Sequence, residues 1–383
     1  MNAPELIKGS ATAEATRAYA ESHSHDTAEG HFSDFLKTRI LLSSIGVGTF
    51  PGEATPEVDA SMALVVSGAL QNGINVIDTA AHYRYGRSLA AVGAGVRDAL
   101  GRGVVRESMF LVSKGGFLTF RGGVPENLDS WFEQEIVAGG LGTKKDLVKA
   151  HLLTPEYMRY QIDLSRALMG VDTLDAFLVD QPELHIPVIG KEALNRKLLG
   201  VFTELERAVA EGTIRYYGIS TFEGFRVETD AGVFQSLTSM QGLAEKAAQE
   251  ATGDVQARHH FALVQMPFNQ VMPEGFTRFN TATGRGNVAS PLQAAHQLGV
   301  YVMASHTLMK GHLARQSADV VAQSLSDLAN PAQRAIQFNR STPGLGTTLV
   351  GMSDPAHLED ALCVARLPPL ERKTYLAMFR KAE

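Results

Sequence analysis

The chain alternates between short apolar runs and longer stretches in which apolar residues recur every three or four positions. The first of these stretches stops before Gly73. Its apolar positions, which share one face of a helix, are Val58, Met62, Val65, Val66 and Ala69. Strand, helix and strand in this order are typical of a parallel sheet.

Eight apolar runs predict eight strands. They lie at 40–50, 75–80, 109–114, 175–180, 214–220, 262–265, 300–304 and 347–351. Thr154 before Pro155 is a typical helix start, and Gly170 is a typical helix end. Eight strands, each with a candidate helix, favour a closed (β/α)8 TIM barrel over an open α/β sheet. An open sheet would place a glycine-rich turn after the first strand, where the sequence has only a weak match.

Two segments fall outside this repeat. Residues 1–36 are rich in Ala, Ser, Glu and His and are interpreted as an N-terminal extension with a candidate helix at 11–22. Residues 117–153 follow the third strand and contain the only tryptophan, Trp131. Ordinary connections after barrel strands are about 2 to 6 residues long, so this one is interpreted as a lid-like insertion. The barrel itself is assigned to 37–383.

Composition limits the classes of partner. The 383 residues have a formal net charge of -6 with mixed signs throughout, which argues against nucleic acid and a membrane surface as ligands. No apolar run reaches the length of about 18 residues of a membrane span, and no signal peptide is recognisable. Together with the single Cys363, interpreted as a buried inert thiol, this predicts a cytoplasmic protein acting on a small molecule. The oligomeric state is left open.

Polar residues follow nearly every predicted strand. They are Asp78, Lys114, Asp180, Ser220, Gln265, and Ser305 with His306. Because the carboxyl ends of parallel strands meet at one mouth of a barrel, these side chains are expected to lie together. Asp78 alone could simply cap a helix, but Lys114 on the next strand and the nearby Tyr83 favour an active site. No metal site is expected, because the histidines are scattered.

Five short motifs stand at these strand ends. They are Gly-Ile-Asn-Val-Ile-Asp-Thr-Ala at 73–80 with Tyr83, Val-Ser-Lys-Gly at 112–115, Tyr-Gly-Ile-Ser-Thr at 217–221, Val-Gln at 264–265 and Leu-Val-Gly-Met-Ser at 349–353. In these motifs the chain resembles the aldo-keto reductase superfamily of NAD(P)H-dependent barrels. The resemblance covers about 40–366 and favours a branch other than the best-known aldehyde reductases.

The resemblance implies that Tyr83 is the general acid that protonates a carbonyl oxygen as hydride arrives. A free phenol has a pKa of about 10, so a nearby ammonium such as Lys114 is expected to make it a better donor. Asp78 is expected to hold Lys114 charged and in place.

A fourth residue departs from the pattern of the superfamily. The usual histidine after the fourth strand is replaced by Asp180. A carboxyl group donates a hydrogen bond only when it is protonated, which a raised pKa near Asp78 would favour. Alternatively, Asp180 accepts a proton from a hydroxyl group or binds a cationic group of the substrate. A further alternative is that the missing imidazole comes from His151, His185 or His306.

The resemblance also implies a cofactor site. Ser220, Thr221 and Gln265 match positions that hold a nicotinamide amide, and Ser305 stands where an aromatic ring often stacks on the nicotinamide. The run after the eighth strand contributes Gly351, Ser353 and His357 near the adenosine phosphates. NADPH is expected as the cofactor. Because Asp354 in this run opposes a 2′-phosphate, NADH is kept as a second candidate.

The leading hypothesis is an NAD(P)H-dependent oxidoreductase that acts on a carbonyl or alcohol group of a small molecule. One alternative is a non-redox lyase, dehydratase or isomerase on the same barrel, with weak or no nucleotide binding. Another is a binding protein on a degenerate barrel, against which the intact Tyr83 and Lys114 argue.

Overall fold

The computed structural model describes residues 5–283 and 286–379. Eight parallel strands form a closed barrel in the order β6-β7-β8-β1-β2-β3-β4-β5, with β5 paired to β6. Their bounds are β1 (Ile45–Gly48), β2 (Val76–Asp78), β3 (Phe110–Gly115), β4 (Leu174–Asp180), β5 (Ile214–Ser220), β6 (Phe261–Pro267), β7 (Tyr301–Ser305) and β8 (Thr347–Gly351). The predicted (β/α)8 TIM barrel is confirmed.

Eight main helices follow the strands. They are α1 (Pro56–Gln71), α2 (Arg87–Gly101), α3 (Pro155–Met169), α4 (Ile186–Ala210), α5 (Leu237–Thr252), α6 (Pro291–Leu298), α7 (Pro331–Arg340) and α8 (Pro355–Ala365). Five of them start at a proline that directly follows a capping side chain, as predicted for Thr154; the caps are Thr55, Thr154, Ser290, Asn330 and Asp354. Within the described ranges, no helix is long and apolar enough to cross a membrane.

Shorter elements connect these units. The helical ones are Ala13–Ser22, Tyr83–Gly86, Arg106–Ser108, Leu128–Trp131, Phe132–Val137, Pro182–His185, Glu274–Thr277, Met309–Gly311, His312–Arg315, Asp319–Ser324 and Arg372–Ala377. The short strands are Phe32–Asp34, Leu41–Ser43, Leu147–Val148, His151–Leu152, Thr281–Ala282 and Val288–Ala289. The helix expected at 11–22 is confirmed as Ala13–Ser22.

The run predicted as one strand at 40–50 is two strands. Leu41–Ser43 pairs antiparallel with Phe32–Asp34, and only β1 belongs to the barrel. The chain changes partner at Ser43, whose N–H donates to Asn75 Oδ1 at 2.9 Å instead of to a strand. The side chain of Asn75, just before β2, therefore marks the break between Leu41–Ser43 and β1, which the apolar pattern had predicted as one strand.

The segment before the barrel closes its amino-terminal end. Phe35 is fully buried inside the barrel, where its ring lies 5.0 Å from that of Phe110. The hairpin of Phe32–Asp34 and Leu41–Ser43 holds this ring in place and crosses the boundary predicted after residue 36. Since the amino-terminal end is plugged, the carboxyl-terminal mouth is where a ligand can enter.

The segment at 117–153 packs back onto the barrel. Its last part is a small hairpin of Leu147–Val148 and His151–Leu152, and the N–H of Leu152 donates to the carbonyl oxygen of Gly116 at 2.8 Å. Trp131 packs edge-on against Phe120, with ring centroids 4.8 Å apart. The segment is thus anchored at the end of β3, beside the mouth.

The prediction that Cys363 is buried is wrong, because its side chain is exposed on α8. The helix turns its other face to the barrel; the residues buried there include Leu358, Ala361, Leu362 and Ala365. An apolar run alone did not identify which face points inward.

Candidate active site

A buried ion pair lies at the carboxyl-terminal mouth of the barrel. Lys114 Nζ, from β3, donates to both carboxylate oxygens of Asp78, each at 2.7 Å, and to the carbonyl oxygen of Thr79 at 3.0 Å. From the other side of the barrel, Gln265 Nε2 donates to Asp78 Oδ1 at 2.9 Å, and Ser220 Oγ donates to Gln265 Oε1 at 3.2 Å. Residues from β2, β3, β5 and β6 therefore share one hydrogen-bond network.

The ring of Tyr83 lies next to this pair. Lys114 Nζ is 5.0 Å from the centroid of the Tyr83 ring. Burial raises the pKa of Tyr83, and the opposite effect of Lys114 is smaller, so the net pKa lies above its ordinary value. The expectation of a phenol more acidic than a free one is therefore wrong for the free protein, although Lys114 acts in the expected direction. Tyr83 keeps its proton at neutral pH.

Lys114 is held in its charged form. Burial lowers its pKa, but the hydrogen-bonded carboxylate of Asp78 and the nearby Asp180 raise it by more, and the net pKa is raised. The expectation that Asp78 keeps the ammonium charged and in place agrees with this balance.

The loop that carries Tyr83 is strained. Arg84 and Tyr85 have left-handed backbones with φ of 50° and 60°, followed by Gly86 at 82°. Such a conformation costs of order 1–3 kcal/mol for each residue that is not glycine. Arg84 holds it, because its buried guanidinium forms an ion pair with Asp59 and donates from Nε to the carbonyl oxygen of Glu53 at 2.9 Å. No sequence pattern identified Arg84 as a support of the site.

Asp180 ends β4 within the same group of charges. Burial raises the pKa of its carboxyl group to about 6, with Lys114 and Ser220 acting in the opposite direction. Lys114 gives its hydrogen bonds to Asp78 and Thr79 and not to Asp180. The carboxylate of Asp180 is thus a second negative group at the mouth, and it has no hydrogen bond from the ammonium of Lys114.

Two of the candidate imidazoles are used elsewhere. His151 Nε2 lies 2.6 Å from the carbonyl oxygen of Asp180, and His151 Nδ1 lies 2.9 Å from His185 Nε2. A carbonyl oxygen only accepts, so His151 donates through Nε2 and receives its second hydrogen bond from His185. Burial lowers the pKa of His151 to about 3 and that of His185 to about 4, so both are neutral. The interpretation of either as the missing imidazole is therefore wrong.

The third candidate, His306, follows β7. Its ring packs edge-on against Phe222, with centroids 5.0 Å apart. Burial lowers its pKa, as do the nearby cations Lys310 and Arg226. This environment favours a neutral ring that forms a wall beside the loop after β5.

The imidazole beside the side-chain carboxylate of Asp180 is His82, which the sequence reasoning missed. His82 Nε2 lies 4.0 Å from Asp180 Oδ2, and its ring is 4.8 Å from that of Tyr83 and 4.9 Å from that of Phe117. Burial lowers its pKa to about 3, as do the charges of Lys114 and His151. Its position directly before Tyr83 in the sequence is the signal that could have identified it.

Gln161 is a second residue that was missed. From α3, its Oε1 accepts from the N–H of Gly116 at 2.6 Å and its Nε2 donates to the carbonyl oxygen of Phe117 at 2.8 Å. Gly116 allows the close approach of His151, because a Cβ atom there would lie 2.2 Å from His151 Nε2. These contacts fix Phe117 beside His82.

The residues assigned to a nicotinamide amide differ in their availability. Ser220 and Gln265 lie beside Asp78 in the network described above. The hydroxyl of Thr221 donates to Glu183 Oε1 at 2.7 Å and accepts from the N–H of Gly224 at 2.8 Å. It therefore holds the loop after β5 in shape.

An exposed cation, Lys310, lies in the loop after β7. Ser305 ends β7, and beyond it Met309, Lys310 and Gly311 all have left-handed backbones. The N–H groups of Met309 and Gly311 donate to backbone carbonyl oxygens of the same turn, each at 2.9 Å. Arg226 reaches the same area from the loop after β5, but its guanidinium forms an ion pair with Glu274 at 2.6 Å.

The run after β8 is less favourable for a phosphate. Gly351 is exposed at the end of the strand, followed by the half-buried Ser353. The carboxylate of Asp354 caps α8 by accepting from the N–H of Ala356 at 2.9 Å, and His357 is exposed on the first turn. A protein carboxylate thus occupies the helix end that would otherwise attract an anion.

Replacing Asp180 with asparagine is expected to raise the free energy of unfolding at pH 8 by about 3 kcal/mol. The folded pKa of about 6 is above the ordinary 3.8, so the folded state holds this proton more tightly than the unfolded chain. The carboxyl group therefore destabilises the fold above pH 6, and this cost disappears as the pH falls below 4.

Urea unfolding at pH 8 and pH 5 checks this prediction. At pH 5 the gain should shrink to about half. The exposed Asp163 on α3 offers a matched control, since D163N should change stability by no more than about 0.5 kcal/mol. A gain for D180N that does not depend on pH would contradict the assignment.

A phenol, an ammonium and a carboxylate meet at the open mouth of a closed parallel barrel. This arrangement defines a (β/α)8-barrel enzyme of the acid–base type. The sequence model of the aldo/keto reductase family matches residues 44–378. The chain belongs to this family and is an oxidoreductase.

Solved structures share the fold. An aldo/keto reductase from Klebsiella pneumoniae in complex with NADP and acetate is 17% identical, with a TM-score of 0.57, and the match covers 90% of this chain and 92% of that one. The same values hold for an aldo-keto reductase from this organism in complex with NADPH. The holo form of an aldo-keto reductase from Bacillus halodurans is 16% identical, with a TM-score of 0.59 and coverage of 92% and 97%. No curated protein sequence matches the chain.

Proposed function

We propose that the protein reduces a carbonyl group of a small molecule with NADPH, and that Tyr83 donates the proton. The observation that carries this proposal is the Lys114 ammonium, which binds both oxygens of Asp78 and lies 5.0 Å from the Tyr83 ring. Bound NADPH would supply the hydride to the carbonyl carbon.

Tyr83, Lys114 and Asp78 have different roles in the proposed proton transfer. Negative charge grows on the substrate oxygen as the carbonyl is reduced, and an alkoxide is a much stronger base than a phenolate. Tyr83 can therefore give up its proton even though burial raises its pKa. The charged Lys114 then stabilises the phenolate, and Asp78 holds Lys114 in place. In the direction of alcohol oxidation the same groups would accept the proton.

The mouth fits a nicotinamide dinucleotide. We assign the amide to Ser220 and Gln265, which offer short polar groups beside Asp78, with Thr221 shaping the loop next to them. The exposed ammonium of Lys310 is our proposed contact for the pyrophosphate. The remaining proposed contacts are Ser305, Gly351, Ser353 and His357. The solved aldo-keto reductases that hold NADP or NADPH favour NADPH, whereas Asp354 leaves NADH as the second candidate.

Titration of the protein with NADPH and with NADH tests this proposal. At least one nucleotide should bind with a dissociation constant below about 1 mM, and its absorbance should fall when an aldehyde or ketone is added. Failure of both nucleotides to bind would overturn the proposal. Asp180 at the usual histidine position would then favour the non-redox alternative, for which substrate should be consumed with no change in nicotinamide absorbance.

We also propose that residues 117–153 act as a lid over the bound nucleotide. Phe117 at the start of this segment already contacts His82, 4.9 Å away. Trp131 is the only tryptophan and lies within the segment, so its fluorescence reports on this part of the chain alone. A spectral shift with NADPH supports the lid; an unchanged spectrum with saturating nucleotide contradicts it.

A further inference from the structure

We propose that His82 and Asp180 form a binding site for a hydroxyl group next to the reacting carbonyl, so that the substrates are hydroxy aldehydes or hydroxy ketones. The inference rests on the proposed carbonyl reduction and names the class of substrate. It starts from the 4.0 Å that separate His82 Nε2 and Asp180 Oδ2.

This distance is too long for a hydrogen bond between the two side chains. It is short enough for one oxygen atom to lie about 2.8 Å from both. Lys114 and Gln265 direct their hydrogen bonds at Asp78 and not at the gap between His82 and Asp180. The gap between His82 and Asp180 is therefore a separate polar position at the mouth.

The protonation states define what fits in this gap. Burial lowers the pKa of His82 to about 3, so at pH 7.5 the ring is neutral and carries one N–H. The pKa of Asp180 is about 6, so at the same pH its carboxyl group is mostly ionised. The negative carboxylate favours the proton on Nε2, the nitrogen that faces it. The site thus offers one donor and one acceptor.

A hydroxyl group matches this pair, because it accepts from His82 Nε2 and donates to Asp180 Oδ2. A carbonyl oxygen or a carboxylate could only accept hydrogen bonds. Either one would place a negative or partly negative oxygen against the carboxylate of Asp180. An ether oxygen also lacks the hydrogen that Asp180 requires. A histidine at this position would donate a hydrogen bond to an acceptor on the substrate. Asp180 instead accepts one, so together with His82 it suits a hydroxyl group of the substrate.

The surroundings place this hydroxyl close to the reacting carbonyl and beside apolar walls. His82 packs on Tyr83 with ring centroids 4.8 Å apart, so the gap lies beside the Tyr83 side chain. Phe50 packs against Tyr83 at 5.1 Å and is 56% exposed, and Phe117 packs against His82. An aryl hydroxy ketone satisfies both the polar pair and the aromatic walls.

Three matched substrates test the proposal: acetophenone, 2-hydroxyacetophenone and 2-methoxyacetophenone. The methoxy compound keeps the electronic effect of the oxygen but has no hydrogen to donate. The wild-type kcat/KM for the hydroxy compound should exceed that for the methoxy compound by about 10- to 100-fold, the range of a hydrogen bond to a charged group. In H82F and D180L this ratio should fall to about 3 or less.

Control variants distinguish a specific loss of the hydroxyl preference from a general loss of activity. Asparagine at position 180 still accepts a hydrogen bond, so D180N should keep more of the preference than D180L. His296 is exposed on α6, and H296F should leave the substrate ratio unchanged. A wild-type enzyme that reduces all three ketones with no preference for the hydroxyl group would overturn the inference and leave the proposed function standing.

A binding measurement covers the case in which no ketone is reduced. Calorimetry should show that the wild type binds 1-phenylethane-1,2-diol about 10-fold or more tightly than 1-phenylethanol. D180L should bind the two alcohols with equal affinity. This result without turnover would sustain the hydroxyl site while the proposed reduction fails. Equal affinities for the wild type would overturn the hydroxyl site.

Discussion

Replacement of Tyr83 by phenylalanine is expected to lower kcat by about 10²- to 10⁴-fold, the usual contribution of a positioned general acid. The change removes the hydroxyl group and keeps the ring, so the contacts of the ring with Phe50 and with Lys114 should survive. Nucleotide affinity and the free energy of unfolding should therefore stay close to those of the wild type.

Single-turnover reduction with saturating NADPH measures this effect, and the best ketone of the substrate series serves as substrate. Tyr85 provides a matched control, because it lies in the same strained loop and its side chain is partly exposed. Y85F should retain activity within about 3-fold. If Y83F kept more than a tenth of the wild-type rate, Tyr83 would not be the proton donor.

The raised pKa of Tyr83 adds a pH dependence with a definite sign. Reduction needs the protonated phenol, and burial keeps its pKa above the ordinary value of 10. Loss of the Tyr83 proton should therefore not lower the rate of reduction below pH 10. Oxidation of an alcohol needs the phenolate, so its rate should rise with pH over the same range.

The parts of the site that were predictable from sequence are those set by the barrel itself. Apolar runs ending in Asp78 and Lys114 fix the positions of these residues at one mouth, because neighbouring parallel strands end together. Their pairing follows from opposite charge at adjacent strand ends. For this reason the ion pair could be expected from two short motifs, without knowledge of the packing around it.

The parts that were not predictable depend on what packs against these residues. His151 lies on a small hairpin within 117–153, and it reaches Asp180 only because that hairpin folds back onto the end of β3. The net pKa of Tyr83 depends on burial by surrounding side chains, which no local motif records. The splitting of the first predicted strand likewise comes from Asn75, a residue distant in sequence.

Replacement of Lys114 by methionine is expected to abolish measurable reduction and to lower the free energy of unfolding by about 3–5 kcal/mol. Methionine is similar in length but carries no charge, so the buried carboxylate of Asp78 would lose its counter-ion. Among residues 5–283 and 286–379, only Gln265 would still donate to it. Urea unfolding and single-turnover reduction measure the two effects on the same sample.

A second substitution separates the two roles of the ammonium. Changing Asp78 to asparagine in the K114M background removes the uncompensated charge and keeps an oxygen that can accept from Gln265. Most of the lost stability should return, because replacing both members of a buried ion pair by neutral groups is often close to neutral. Activity should not return, since no cation would remain to stabilise the Tyr83 phenolate. A double variant that recovered both would show that Lys114 only balances the charge of Asp78. One that recovered neither would show that the fold needs the ammonium for its bond to Thr79, 3.0 Å away.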